Sequence, residues 1–132
     1  MTLTSLLVHA GYDVRCVENG RSALEVAYEF RPHAGIFDIG MPGLTGYELA
    51  AYIRQEPWGR AILLIALSGW GEEVDRLFAY GAGFTHHVTK PAEFEHVAAL
   101  LCRGLAPRLP APVPIGSTLG ALAKRALDAV IS

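Results

Sequence analysis

Two patterns of apolar and polar residues, one typical of strands and one typical of helices, alternate along the first hundred positions of the chain. Four short segments have the apolar content of β-strands, and the segments around them place apolar residues at helical spacing. The strands are predicted at Tyr12–Val17, Ala34–Ile39, Ala61–Leu67 and Phe84–Val88. The helices are predicted at Thr2–Ala10, Ser22–Phe30, Thr45–Gln55, Glu72–Tyr80 and Glu93–Cys102. Such alternation predicts an α/β fold, with a parallel sheet covered by helices on both faces.

Local signals support these boundaries. Gly11 is a good C-terminal stop for the first helix, and Asn19-Gly20 is a turn. Thr45 and Glu48 have the spacing of a capping box at the start of the third helix. Ala61–Leu67 is apolar throughout, which is typical of a strand buried on both faces of a parallel sheet.

The last thirty residues differ from the body in charge and in proline content. Residues 1–102 hold seven basic and twelve acidic side chains, whereas residues 103–132 hold four basic and one acidic. Four of the eight prolines fall in residues 107–114. We therefore predict a body over residues 1–104, a proline-rich extended linker over 105–116 and an amphipathic C-terminal helix over 117–132. Ser117 is the predicted N-cap of that helix.

Composition narrows the class of protein. The 132 residues are 52% hydrophobic, which is enough for a sizeable core, and the net charge of −2 gives no reason to expect binding to nucleic acid or to an anionic membrane. No apolar run approaches the roughly 20 residues of a membrane span, and no secretory signal is recognisable. Cys16 and Cys102 lie in apolar stretches and are expected to be buried and reduced, as in a cytoplasmic protein.

Three successive strands are followed by polar groups of complementary chemistry. Asp38, Ser68 and Lys90 stand at or directly after the carboxyl ends of the second, third and fourth predicted strands. Ligands bind at this edge of open parallel sheets. A carboxylate nucleophile, a hydroxyl donor and an ammonium could together handle a phosphoryl group. Each residue alone is more typical of turn or surface chemistry, so the hypothesis depends on the three occurring together.

The motifs around these residues resemble those of bacterial response-regulator receiver domains. The resemblance rests on three blocks, DIGMPG at residues 38–43 with Gly46 beyond it, ALSG at 66–69 and AGFTHHVTKP at 82–91. It covers about residues 2–102. It implies a doubly wound, flavodoxin-like parallel sheet with strand order 2-1-3-4-5, in a two-component signalling protein that is not itself an enzyme.

The resemblance also implies a role for each matching residue. Asp38 would accept a phosphoryl group from a phosphohistidine on a sensor or hybrid histidine kinase, or on a phosphotransfer protein. Gly40 would offer its backbone carbonyl to Mg²⁺, which Asp38 would also bind. Ser68 and Lys90 would contact the phosphoryl oxygens, and the Lys90-Pro91 bond would be cis. His87 occupies a position where the family often has a rotating aromatic residue, and histidine there could add pH sensitivity.

The family pattern fails at its start. Receiver domains begin with a strand that ends in two acidic Mg²⁺ ligands, but here residues 2–11 already have the pattern of the first helix and none is acidic. We therefore expect weak Mg²⁺ binding, and facing unpaired edges on the strands Tyr12–Val17 and Ala34–Ile39. The proline-rich tail is expected to be a poor substitute strand. A different start of the chain, a shortened chain, direct pairing of those two strands, and a strand taken from another molecule are all open explanations.

Other functions compete with the phosphoryl-accepting receiver. A degenerate receiver that acts only as a protein-interaction module is favoured by the missing acidic pair. A phosphatase with Asp38 as nucleophile is disfavoured, because no second aspartate stands two residues later. A metal site at His86-His87 is disfavoured as well, because neighbouring residues on a strand point to opposite faces. A homodimer through the C-terminal segment is a further possibility for partners.

Overall fold

The described residues form helices that alternate with parallel strands, as the apolar pattern predicts. A computed structural model describes residues 3–39, 44–69, 73–105 and 127–130. The helices are α1 (Leu3–His9), α2 (Gly20–Phe30), α3 (Gly46–Gln55), α4 (Glu73–Ala82) and α5 (Phe94–Leu105). The strands are β1 (Val14–Val17), β2 (Ala34–Asp38), β3 (Leu63–Ser68), β4 (His86–Thr89) and β5 (Leu127–Val130). A 3₁₀ turn, Pro57–Gly59, precedes β3.

The sheet has the strand order β1-β5-β2-β3-β4, and every pair is parallel. The C-terminal strand β5 lies between β1 and β2. Its register runs from Leu127 opposite Val14 to Val130 opposite Val17 on one side. On the other side Leu127 lies opposite Ala34. The centre of the sheet therefore contains the strand that comes last in the sequence.

This arrangement corrects the prediction of a sheet that lacks one strand. The position that the family's first strand would take, between its second and third strands, is filled by β5. The expected unpaired edges on β1 and β2 are wrong, because both strands pair with Leu127–Val130. The expectation that proline would spoil the tail as a strand is also wrong, since residues 127–130 follow the proline-rich stretch and contain no proline.

The tail also departs from the predicted helix. The helix predicted over residues 117–132 is wrong at Leu127–Val130, which is a strand. The backbone donors and acceptors of β1 and β2 that face each other need partners, and a strand between them satisfies both rows, which a helix cannot do. Leu105, the first residue of the predicted linker, is the last residue of α5. The rest of the predicted linker and helix lies outside the described residues.

Two apolar layers enclose the sheet. Helices α2, α3 and α4 cover one face, and α1 and α5 cover the other. The first layer contains Val17, Ala23, Ala27, Phe37, Leu49, Ala50, Ile53, Ile62, Leu64, Ala66, Ala79 and Phe84. The second contains Leu7, Ala34, Ile36, Leu63, Ile65, Leu67, Val88, Val97 and Leu101. Every residue of β2 and β3 is buried, which confirms the two-sided burial predicted from the uninterrupted apolar run.

The capping signals act as the sequence predicts. The side chain of Asn19 accepts a hydrogen bond from the Ser22 amide at 2.8 Å and caps α2. Thr45 and Glu48 form the reciprocal capping box of α3.

The two cysteines differ from expectation, because Cys16 on the edge strand and Cys102 on α5 are both exposed free thiols. Across the described ranges, none of the helices has the length and apolar character needed to cross a membrane.

Candidate functional site

Three strands bring the predicted site residues to one edge of the sheet. Asp38 is the last residue of β2 and Ser68 is the last residue of β3, and Lys90 directly follows β4. The register places Asp38 opposite Leu67, beside Ser68. Asp38 is 7% exposed and Ser68 is 2% exposed. The carboxylate and the hydroxyl are thus held in a largely dry environment, where electrostatic interactions are stronger than in water.

Lys90 forms an ion pair with Asp38. Its Nζ donates a hydrogen bond to Asp38 Oδ2. The Lys90 amide also donates to the Ser68 carbonyl at 2.7 Å, which fixes the backbone of the lysine beside β3. The Lys90-Pro91 peptide bond is cis, as the resemblance implied. The Lys90 side chain is 37% exposed while that of Asp38 is 10% exposed, so the cation reaches from the surface to a mostly buried anion.

His87 contacts Ser68. Its Nε2 lies 2.8 Å from Ser68 Oγ, a hydrogen bond whose direction depends on the tautomer of the ring. Its neighbour His86 is near His96 and Arg103 of α5. Burial lowers the pKa of His86, and repulsion from His96 and then from Arg103 lowers it further. The two adjacent histidines therefore have different surroundings, as the alternation of side chains along a strand requires.

A close approach of α3 shapes the loop edge of the site. A Cβ placed on Gly46 would lie 2.7 Å from the Ile39 Cα and 3.1 Å from the Asp38 carbonyl oxygen. Only glycine allows the first turn of α3 to pack this closely against the backbone beyond β2. Gly40, which the resemblance assigned as a Mg²⁺ ligand through its carbonyl, lies outside the described residues, as do Met41, Pro42 and Gly43.

Sequence reasoning missed Arg54, which binds the backbone at the amino-terminal ends of β3 and β4, away from the site. Arg54 of α3 donates from Nε to the Gly83 carbonyl at 2.8 Å and from Nη1 to the Ile62 carbonyl at 2.6 Å. It also donates to the hydroxyl of Thr85, which accepts from the Leu64 amide at 3.1 Å. The only signal in the sequence was that Arg54 is a long basic side chain in the last turn of α3, whose inner face is otherwise apolar.

The described part of the site offers few oxygen donors for a magnesium ion. Asp38 is the only carboxylate among the residues that end β2, β3 and β4, and Lys90 already engages one of its oxygens. No group of three or more His, Cys, Asp or Glu side chains in the described ranges could hold a metal ion. Magnesium prefers six oxygen ligands at near-octahedral geometry. Among the described residues, the strand ends therefore supply one carboxylate, and Lys90 is the cation paired with it.

The fold and site have clear counterparts among known proteins. The model of the response regulator receiver domain matches residues 1–101. PilH of Pseudomonas aeruginosa is 29% identical over 93 residues, which cover 70% of this chain and 77% of PilH. The receiver domain of the sensor histidine kinase PA1611 from the same organism, solved with a magnesium ion coordinated in its active site cleft, is 29% identical. The match covers 78% of this chain and 84% of that domain, with a TM-score of 0.72.

A chemotaxis protein gives the same result. CheY4 of Vibrio cholerae is 27% identical, with 78% of this chain and 87% of CheY4 covered and a TM-score of 0.72. Because the family model covers well over half of the chain, this protein belongs to the response regulator receiver domain family of two-component signalling. The resemblance inferred from the motifs is confirmed, and so is the flavodoxin-like parallel fold.

Proposed function

We propose that this domain accepts a phosphoryl group on Asp38 from the phosphohistidine of a sensor or hybrid histidine kinase, or of a phosphotransfer protein. One Asp38 oxygen forms the new P–O bond while the P–N bond to the donor histidine breaks, and the nitrogen keeps the bonding pair. The domain acts as a receiver rather than as an enzyme, in the cytoplasm where such donors act. The observation that supports this proposal is the ion pair of Asp38 with Lys90 beside the buried Ser68.

Each neighbour has a defined task in that step. Lys90 offsets the negative charge of the incoming group, and the Ser68 hydroxyl donates to one of its oxygens. His87 positions Ser68: when Nε2 carries a proton and donates to Ser68 Oγ, the hydroxyl keeps its own proton for the phosphoryl group. All three groups are supplied by β3, β4 and the residue after β4, so the sheet arranges them before the donor arrives.

The rate of transfer is limited by charge. The incoming phosphoryl group brings about two negative charges to an aspartate that is already paired with Lys90. The resemblance to receiver domains implies that Mg²⁺ would offset this added charge. Among the described residues, however, no acidic pair lies beside Asp38. The two residues that come directly after β5 in the sequence, Ile131 and Ser132, are not acidic. We therefore expect slow labelling by small phosphodonors.

The test is labelling with acetyl phosphate and Mg²⁺, followed by intact mass. The natural chain is compared with Asp38→Asn and with a variant that carries Ile131→Asp and Ser132→Asp. We expect slow labelling of the natural chain, faster Mg²⁺-dependent labelling of the double-aspartate variant, and none after Asp38→Asn. Absence of labelling from both Asp38-containing proteins would contradict the proposal and would favour a receiver that acts only by binding other proteins.

A further inference from the structure

The sheet ends in an edge strand with an unusual charge pattern. β1 lies at one end of the strand order, and in the described part of the chain no strand pairs with its outer side. Asp13 directly precedes this strand and Arg15 lies within it, with side chains 44% and 51% exposed. Exposed strand edges can pair with another chain, and charged side chains on the edge are one means of preventing this. Here the charges alternate in sign.

The two charged side chains share the face covered by α2. The Arg15 guanidinium stacks over the Phe30 ring, 4.6 Å from its centroid. Its Nη2 lies 3.9 Å from the Asp13 carboxylate, a long contact between exposed groups that contributes little stability. Both charged side chains therefore lie at the surface beside the strand.

We propose that β1 pairs with the β1 strand of a second copy of this chain, antiparallel and with the two-fold axis at Val14. In this register Asp13 lies opposite the second copy's Arg15, and Arg15 lies opposite the second copy's Asp13. Both cross-strand pairs are attractive, and opposite charges in such pairs stabilise a sheet. The two five-stranded sheets would then form one continuous sheet of two protomers.

Two neighbouring registers are disfavoured by the same residues. A two-fold axis at Arg15 places the two arginines directly opposite each other, and an axis at Asp13 does the same for the two carboxylates. Like charges directly opposite are destabilising. The sequence Asp13-Val14-Arg15 therefore favours the axis at Val14 over the axes at Asp13 and Arg15. The other edge strand, β4, contains no pair of opposite charges that could select a register in the same way.

The surface beside β1 leaves room for the second copy's side chains. An open cavity of about 320 Å³ is lined by Arg15, Val26, Glu29 and Phe30. It lies on the same face as the proposed charge pairs. Glu29 adds a carboxylate at its wall. This contact surface is separate from the edge that carries Asp38, so the proposal does not depend on phosphoryl transfer.

The first experiment is sedimentation of the full chain over a concentration series, with the substitutions Asp13→Arg, Arg15→Asp and both together. We expect a monomer–dimer equilibrium. Each single reversal turns two attractive pairs into two repulsive ones and should weaken the dimer at least about fivefold. The double reversal restores opposite charges across the axis and should return the dissociation constant to within about twofold. A monomer at all concentrations, or a double variant as weak as the single ones, overturns the proposal.

The second experiment tests the register without charge changes. In a Cys16→Ser/Cys102→Ser background, Val14→Cys is oxidised and the disulfide-linked dimer is measured. Residues directly opposite in an antiparallel pair have Cα atoms about 4.5–5.5 Å apart, which a disulfide can bridge. We expect faster cross-linking of Val14→Cys than of Arg15→Cys. Leu77→Cys, on the exposed side of α4 where the side chain is 65% accessible, should react slowly. Fastest cross-linking at either control position contradicts the proposed interface.

Discussion

The two halves of the sheet are assembled in different ways. In the half formed by β2, β3 and β4, each strand pairs with the next one in sequence through a helical crossover, and all the described site residues lie there. In the other half, β5 joins from the far end of the chain and separates β1 from β2. The first half is organised by consecutive βα units. The second depends on a pairing between distant segments, which adds the entropy of closing a long loop.

This difference determines where each half is vulnerable. The site half, formed by β2, β3 and β4, contains two fully buried strands, β2 and β3, and the hydrogen bonds of Arg54. The other half rests on four residue pairs between β5 and β1 and three between β5 and β2. Substitutions in the two halves should therefore have separable effects, and the following four outcomes test that separation in order of decreasing size.

The largest effect is expected from Ala129→Pro. Ala129 is paired on both sides, with Cys16 and with Ile36, and proline would remove its backbone donor from the centre of the sheet. We expect a loss of about 3 kcal/mol or more in the free energy of unfolding. Amide hydrogen exchange should accelerate first in β1 and β2. Unchanged protection in these strands would show that β5 is not their partner.

Arg54→Met should be the next most damaging change. The carbonyls of Gly59, Ile62 and Gly83 each accept a hydrogen bond from the Arg54 guanidinium. Methionine keeps the apolar stem of the side chain but cannot donate these hydrogen bonds. Because buried acceptors without partners are costly, we expect a loss of about 2–4 kcal/mol in urea denaturation. Arg60→Met, at an exposed position, is the matched control. Equal losses from both would mean that Arg54 does not hold the site half together.

Lys90→Met should have a smaller effect, confined to the site. It leaves the mostly buried Asp38 carboxylate without its ion-pair partner, and partial exposure of the lysine moderates the cost to about 1–2 kcal/mol. Asp38→Asn in the Lys90→Met background removes the uncompensated charge and should recover part of that loss. The check is a double-mutant cycle by chemical denaturation. Additive effects of the two substitutions would contradict a direct interaction.

The smallest effect concerns pH. Burial and the nearby His96 and Arg103 lower the pKa of His86, so the folded protein binds its proton less readily than the unfolded chain. Stability should be fully present above the ordinary histidine pKa of about 6.5 and should fall as the pH drops below it towards the lowered value. His86→Gln should flatten the change in Tm between about pH 7.5 and pH 5.5. The same substitution at the exposed His9 should leave it unaltered.

The sequence predicted the site half well because its information is local. Asp38, Ser68 and Lys90 each end or follow a strand whose apolar run is visible in the sequence, and parallel strands place these ends at one edge. Strand boundaries moved by only a few residues, as at β4, predicted at Phe84–Val88 and found at His86–Thr89. The contacts of Arg54 could not be predicted, because they depend on the three-dimensional approach of turns that are far apart in sequence.

The tail was predicted badly for the opposite reason. Leu119, Leu122, Ala126 and Val130 have helical spacing, but local spacing carries no information about open backbone groups elsewhere. Leu127–Val130 is a strand because β1 and β2 each present a row of donors and acceptors on their facing sides. Tertiary pairing here overrides local periodicity. The absence of the family's first strand correctly indicated an open position between β1 and β2. The apolar pattern of the tail did not show that Leu127–Val130 fills this position.

The position of β5 also has a consequence for synthesis on the ribosome. The strand at the middle of the sheet is made after every other described element, so β1 and β2 leave the ribosome with open facing edges. At about 5–20 residues per second, the segment from the end of α5 to the end of β5 takes one to several seconds to translate. During that interval nascent chains on neighbouring ribosomes present complementary edges to one another. Slow translation of the tail should therefore lower the soluble yield, whereas slow translation of an equal stretch within α1 should not.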